Sequence, residues 1–214
     1  MASNYLAKSN TSEIPSATIS RLVIYLRILE ELANNDIREI SSEKLATLAQ
    51  GSAFQIRKDL AYFGTFGTRG AGYTVPTLLR ELRRILGLTR QWNVVIIGMG
   101  RLGQALADYP RFVHYNYHLS AAVDINPELV NKEFSGLKVE DIGDLSKIIK
   151  ERMVDIGFLT VPQKSAQEAA DALIQAGIKG ILNFSPSIIT VPDNIHVETV
   201  DFLAGLKRIS YYIK

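Results

Sequence analysis

The 214-residue sequence contains no cysteine. A disulfide framework and a thiolate metal site are therefore excluded, and nothing in the chain asks for an oxidising compartment. No apolar run approaches the ~20 residues that a membrane-spanning helix needs. The opening MASNYLAKSN lacks the charged-then-apolar order of a signal peptide. We therefore expect a cytoplasmic protein without a membrane partner. Net charge is scarce, at +2. Histidine is scarce too: His114, His118 and His196 are the only three, and none stands in a pattern with a carboxylate or arginine that would make it a catalytic acid or base. What remains is an ordinary globular composition, 47% hydrophobic and 21% charged, sufficient for a core in one or two domains.

The small net charge is unevenly placed. Residues 1–92 hold 12 Lys/Arg against 8 Asp/Glu, whereas residues 93–214 hold 12 against 14. Residues 52–90 alone hold 7 against 2, a block of +5. Such a block points to a polyanionic partner, although a solvated face has the same composition.

Hydrophobic spacing divides the chain. Ile19, Leu22, Val23, Leu26 and Leu29 recur at helical intervals after Pro15, so an amphipathic helix starts there. The stretch IREIS (37–41) alternates and reads as an edge strand. A second helix, capped by Ser41 or Ser42, runs to about Gln50 with Leu45, Leu48 and Ala49 inward, and Gly51 breaks it. A third covers SAFQIRKDLAYFG (52–64), with Phe54 or Ile56, then Leu60 and Phe63, on its buried side. TFGTRGAGYTV (65–75) reads as a glycine-tipped hairpin, and PTLLRELRRILGL (76–88) as a further helix. This order is a helix-turn-helix elaborated with a wing. After a linker at 89–92 the period changes. Apolar strands at 93–98, 119–125, 155–161, 180–185 and 195–201 alternate with helices at 101–109, 145–153 and 165–177. That alternation predicts a doubly wound, Rossmann-like parallel sheet. The expected domains are 1–88 (winged helix), 89–200 (nucleotide-binding sheet) and 201–214 (C-terminal helix).

VVIIGMGRLG places Gly98, Gly100 and Gly103 in the G-x-G-x-x-G pattern, between an apolar strand and a helix. Asp124 follows Gly103 by 21 residues, at the end of the second strand. This context makes a short pattern specific: the glycines permit a tight turn, close approach of a pyrophosphate, and helix–strand contact, while the acid accepts from the ribose hydroxyls. The charge of Asp124 would repel a 2′-phosphate, and neither Ile125 nor Asn126 can rescue one, so NADH and NAD+ are favoured over the NADP pair. In the first half, the 53–63 helix is the member of a helix-turn-helix that enters the major groove. Arg57 and Lys58 are placed to donate to guanine or to phosphates, with Gln55 nearby. Arg69, between glycines at the hairpin tip, suits a minor groove. Arg80, Arg83, Arg84 and Arg90 can add phosphate contacts, although Arg83 and Arg84 equally suit a solvated helix face.

QIRKDLAYFGTFGTRGAGY, GMGRLGQALADYPRF and VDFLAGLKRISYYI together resemble the Rex family of redox-sensing transcriptional repressors, over about residues 15–214. The resemblance implies a winged-helix DNA-binding domain, a Rossmann domain that binds NADH, and a C-terminal helix swapped between the subunits of a homodimer. It further implies repression through a pseudo-palindromic double-stranded operator, released when NADH rises relative to NAD+. Carried over by residue, Arg57, Lys58 and Arg69 match the DNA contacts, with Thr68 where the family often has a second basic residue. Gly98, Met99, Gly100, Arg101, Leu102, Gly103 and Asp124 fall on the cofactor loop and its acid. Thr160, Val161 and Pro162, with Asn183, Phe184, Ser185 and Pro186, fall on two further cofactor loops. Phe202 would reach the partner's nicotinamide pocket, and Asp201 would alternate between Tyr109 and Arg21 as a switch. Independently of the resemblance, Phe202, Leu203, Leu206, Ile209, Tyr212 and Ile213 form a terminal apolar stripe that must dock somewhere.

Two rival readings remain. A small NAD-dependent oxidoreductase with a regulatory head would need a catalytic domain, but only about 120 residues follow the linker and the sheet uses nearly all of them. A CoA-binding module is suggested by NFSPS after a strand, yet Asp124 would sit near the 3′-phosphate of CoA.

Overall fold

A computed structural model of the protein describes residues 14–67 and 72–214. The chain forms two compact units, Met1–Thr89 and Arg90–Lys214.

The described part of the first unit is helical with one small sheet. Helix α1 (Ser16–Asn34) packs along α4 (Val75–Ile85), and α2 (Ser42–Leu48) with α3 (Ala53–Ala61) forms the helix-turn-helix. Ser41 caps α2 by accepting from the Lys44 N–H (3.1 Å), and Ser52 caps α3 by accepting from the Gln55 N–H (3.2 Å). Between the two helices the left-handed residue is Gln50 (φ 53°), not Gly51. The Gly51 N–H donates to the Ala46 carbonyl (2.9 Å) and the Gln50 N–H to that of Thr47 (3.3 Å), which is the hydrogen-bonded left-handed helix ending usually given to glycine. Strand β1 (Glu39–Ile40) pairs antiparallel with β2 (Tyr73–Thr74). The tip of the hairpin expected over 65–75 lies outside the described residues at 68–71, and its second arm pairs with the 37–41 segment. The core joins Leu22, Leu26, Leu29, Leu45, Ile56, Leu60, Val75, Leu78 and Leu82.

Burial revises several inward assignments. Leu48 (43%), Val23 (52%) and Ile19 (37%) are exposed, whereas the polar Thr18 and the aromatic Tyr25 lie inside. Of the alternatives on α3, Ile56 is fully buried and Phe54 is 70% exposed.

The second unit is a seven-stranded sheet in the order β5-β6-β4-β3-β7-β8-β9. Its strands are β3 (Trp92–Ile97), β4 (Tyr117–Asp124), β5 (Glu133–Phe134), β6 (Leu137–Asp141), β7 (Ile156–Leu159), β8 (Gly180–Asn183) and β9 (His196–Thr199). All pair in parallel except the β5–β6 hairpin. Without that edge hairpin arm the order is the doubly wound dinucleotide arrangement, with β3 where the winding reverses. Period-two alternation sends the two sets of β3 side chains to opposite cores. Val95 and Ile97 meet Leu145, Ile148 and Leu173 from α6 (Leu145–Glu151) and α7 (Ala166–Gln175). Val94 and Ile96 face the side of α5 (Arg101–Ala107) and the short 3-10 turn Pro110–Tyr115. Strands β5 and β6 escaped the sequence reading, and β4 starts at Tyr117, ahead of the strand expected at 119–125, so His118 lies within it.

Helix α8 (Phe202–Ile213) ends the chain. Its apolar stripe is uncovered: Phe202, Leu203, Leu206, Ile209, Tyr212 and Ile213 are each more than half exposed.

Candidate nucleotide site and nucleic-acid interface

Cross-strand register aligns Ile97 with Val123 and with Leu159, and Leu159 with Asn183. The loops after β3, β4, β7 and β8 therefore leave one edge of the sheet side by side, around the reversal point where such sheets bind ligands. The glycine loop is built into this edge. Gly98 turns with φ 95°, and a Cβ there would lie 2.9 Å from Val161 Cγ1 and 3.1 Å from the Thr160 carbonyl oxygen. A Cβ on Gly103 would come within 2.1 Å of the Gly98 carbonyl oxygen, so α5 approaches the turn at a distance only glycine allows. Gly100, at the head of α5, faces open space instead. That is the cradle a pyrophosphate requires: backbone N–H groups, helix start and no side chain in the way. Arg101 and Leu102 are exposed beside it, and Met99 is fully buried beneath it.

Asp124 is already engaged by the backbone around it. Its Oδ2 accepts from the Met99 N–H (2.6 Å) and its Oδ1 from the Asn126 N–H (2.8 Å). The acid thus ties the end of β4 to the glycine loop while each oxygen keeps a lone pair for a hydroxyl. The Thr160 hydroxyl lies 2.8 Å from the Ile97 carbonyl and 2.7 Å from that of Gly98, fastening the next loop to the same turn. Val161 is half-buried and Pro162 exposed.

The loop after β8 is shaped by its own asparagine. Fully buried Asn183 accepts from the Ser185 N–H (2.9 Å) and donates to the Ser187 carbonyl (2.8 Å), drawing 183–187 into a tight bend with Pro186 outermost. The Ser185 hydroxyl is buried at the edge of this bend with no hydrogen-bond partner among the described residues. An unpaired buried hydroxyl is costly, so a ligand amide or hydroxyl arriving there gains a ready partner. Residues 160–165 and 183–188 contain no acid. Behind the bend runs a chain of edge-to-face rings: Phe184 to Phe158 (5.6 Å), Phe158 to Phe112 (5.4 Å) and Phe112 to Tyr109 (5.2 Å). It connects the cofactor edge to half-exposed Tyr109, a connection with no signal in the local sequence. Asp201 caps α8 by accepting from the Ala204 N–H (3.0 Å), and Phe202 is 66% exposed.

The histidines lie elsewhere. His118 pairs with Asn93 and His196 with Gly180, both at the opposite edge of the sheet, and His114 is in the turn leading into β4.

In the first unit, α3 turns Ile56, Asp59 and Leu60 inward and Phe54, Arg57, Lys58 and Tyr62 outward. Lys58 is exposed, and Arg57 is braced on α2, donating to Ser42 Oγ (2.7 Å) with Glu43 Oε1 at 3.4 Å. Gln55 does not project freely: its amide donates to Asp59 Oδ1 (2.8 Å). Asp59 is the hub that the sequence reading missed. Its carboxylate also accepts two bonds from Arg21 (2.7 and 2.6 Å), one from the Tyr25 hydroxyl (2.9 Å) and one from the Thr18 hydroxyl (3.3 Å). Burial alone would raise the Asp59 carboxyl, but the bonds from Arg21, Tyr25 and Gln55 outweigh it and hold the group below the usual carboxylate range. The same bond pushes the Arg21 guanidinium up, and burial with the bond to Asp59 raises the Tyr25 phenol. Arg21, expected to meet Asp201, is here engaged by a carboxylate of its own unit. On α4, Arg83 pairs with Glu30 (2.8 Å) and Arg84 with Glu81 (3.0 Å). Arg69 and Thr68 lie outside the described residues.

A family model described as "CoA binding domain" matches residues 89–187, and one described as "Putative DNA-binding protein N-terminus" matches 13–61. Fold and site together define a class, the transcription regulators that join a helix-turn-helix head to a dinucleotide-binding domain. A curated relative from Thermus thermophilus, named redox-sensing transcriptional repressor Rex, is 54% identical over 94% of each chain. The chain belongs to this Rex family, whose members are repressors and not enzymes. Among solved structures, that of RSP in complex with β-NAD+ and operator DNA is 42% identical, covers 94% of this chain and 92% of its own, and superposes with a TM-score of 0.89. RSP in complex with β-NADH is 40% identical, covers 94% of each chain, and gives 0.87.

Proposed function

We propose that the protein is a cytoplasmic repressor that grips a pseudo-palindromic operator as a homodimer and lets go when NADH binds. One observation carries this reading: a pinned glycine loop and a buried orphan hydroxyl on one unit, and a cation-bearing α3 on the other. NADH and NAD+ would lie along the sheet edge, the pyrophosphate over Gly98–Gly103 and the adenosine ribose on Asp124. The nicotinamide would lie between Thr160–Pro162 and Asn183–Pro186, with its carboxamide toward Ser185.

The two redox forms differ in the charge of one ring. The loops that flank the ring contain no acid, and Phe184 and Phe158 stand behind it. Burying a cation in such surroundings without compensation costs several kcal/mol, whereas a neutral ring is accepted. NADH therefore favours the closed form of the pocket. Reversing a two-state population almost completely takes roughly 5 kcal/mol of differential affinity, which one ring charge can supply. In the dimer, Phe202 of α8 closes the partner's pocket. Asp201 exchanges Tyr109 for Arg21 as the state changes, and Arg21 must then be shared with Asp59. Arg57, Lys58, Gln55 and Arg69 contact operator DNA, whose half-sites lie about 34 Å, or a multiple of that, apart.

An oxidoreductase is disfavoured by the remoteness of every histidine from the cofactor edge. The CoA description of the matched domain is outweighed by Asp124, a charge fixed where CoA would bring a 3′-phosphate. Operator gel shifts titrated with NADH, NAD+ and CoA test the proposal. Release by NADH at concentrations where NAD+ and CoA have no effect is expected, and equal release by both redox forms would overturn it.

A further inference from the structure

The turn of α3 nearest its start carries a large ring that the fold does not use. Phe54 is the second residue of α3 and is 70% exposed, while the same helix buries Ile56, Asp59 and Leu60. A single exposed aromatic needs no explanation by itself. Its surroundings make it informative. The only acid of α3, Asp59, is wholly buried, so the helix itself presents Phe54, Arg57 and Lys58 outward with no exposed acid of its own; the neighbouring carboxylate is Glu43 of α2, 3.4 Å from Arg57. Phe54 and Lys58 stand one turn apart on one face. The polar neighbours of Phe54 are held in place by the fold, Gln55 by its bond to Asp59 and Arg57 by one nitrogen on Ser42, so they flank the ring without covering it. The first residues of a recognition helix are those that meet base edges. In the major groove, the apolar feature available to a ring is the thymine C5-methyl group.

Resting on the repressor reading above, we propose that Phe54 is a specificity-determining residue that recognises a thymine methyl group in each operator half-site. Lys58 supplies charge and holds the helix in the groove. Phe54 distinguishes sequences by burying a methyl that cytosine lacks.

The test removes single methyl groups from the DNA. Each thymine of a bound operator is replaced in turn by deoxyuridine, which changes nothing else, and affinity is read by fluorescence anisotropy for wild type, Phe54→Ala and Phe54→Leu. Wild type should lose about fourfold at one thymine per half-site, the worth of one buried methyl-sized group. Phe54→Ala should bind the intact operator less tightly and be indifferent to that deoxyuridine, with unchanged affinity for scrambled duplex because no charge is altered. Phe54→Leu should keep part of the sensitivity, which separates methyl contact from a folding defect. Identical deoxyuridine profiles for wild type and Phe54→Ala, or a wild type sensitive nowhere, overturn the assignment while leaving the repressor reading intact. A wild type that binds operator and scrambled duplex equally defeats the repressor reading itself, and the assignment with it.

Discussion

Replacing Arg21 by alanine should weaken the DNA-binding unit far more than an ordinary surface substitution. The side chain is one-third exposed, but its partner Asp59 is wholly buried, with side-chain exposures of 33% and 0%. Two charge-assisted bonds of 2.6 and 2.7 Å vanish, and the carboxylate keeps only Tyr25, Gln55 and the longer contact to Thr18. Breaking a buried pair by removing one partner costs about 3–5 kcal/mol. Because water reaches part of Arg21, the lower end applies, about 3 kcal/mol. For a unit of this size each kcal/mol moves the midpoint by about 4–8 °C, so its thermal transition should fall by about 12–24 °C. Scanning calorimetry of the full chain reads this as a displaced first transition, with the nucleotide-binding unit's transition unmoved. Acid sharpens the test. In wild type the Asp59 carboxyl lies below its unfolded value of about 3.9, so its contribution is complete above that pH and is lost as pH falls through the folded value. In the variant, burial dominates and the carboxyl rises, so protonation relieves the stranded charge. The gap between wild type and Arg21→Ala should therefore narrow as pH falls from 7 toward 4. A displacement under about 4 °C, or a gap that widens with acid, would refute the hub assignment.

Other outcomes can be checked with less effort. Lys58→Ala should weaken operator and scrambled duplex together and lower the slope of log K against log salt by about 1, measured by anisotropy between 50 and 200 mM salt. Gly103→Ala places a Cβ within 2.1 Å of the Gly98 carbonyl and should reduce NADH affinity at least tenfold by calorimetry while leaving the α3 face competent. Leu206→Glu puts a charge in the uncovered stripe of α8 and should yield a monomer by sedimentation. Phe112→Leu interrupts the ring chain between Phe184 and Tyr109. It should shrink the NADH-induced loss of operator affinity more than it changes NADH binding itself.

Legibility in the sequence followed the range of the interactions. The glycine loop, its apolar strand and Asp124 could be read because the chemistry is confined to some 30 consecutive residues with fixed spacing. The helix-turn-helix was readable for the same reason, including a serine cap at the start of α2, whereas the Ser52 cap of α3 was not anticipated. The β5–β6 hairpin was missed although Ser135–Gly136, both at positive φ (49° and 80°), is a two-residue turn signal. Its strands are too short to announce a period. The Asp59 hub was illegible because its donors stand up to 41 residues away, and an acid between Lys58 and Leu60 looks like surface. Exposure of Leu48 and Val23 was illegible for a related reason: apolar spacing marks a face but does not say what covers it. The pairing of β2 with β1 joins segments far apart in the chain, which no local pattern encodes.

Asp124 bears on how loss-of-binding data should be interpreted. Its two oxygens already hold the Met99 and Asn126 amides, so neutralising it would slacken the turn proposed to carry the diphosphate as well as removing the proposed sugar contact. The deficit recorded for such a substitution would overstate the worth of the hydroxyl contacts. Comparing adenosine with 2′-deoxyadenosine forms of the dinucleotide, on the unaltered chain, isolates the sugar's share.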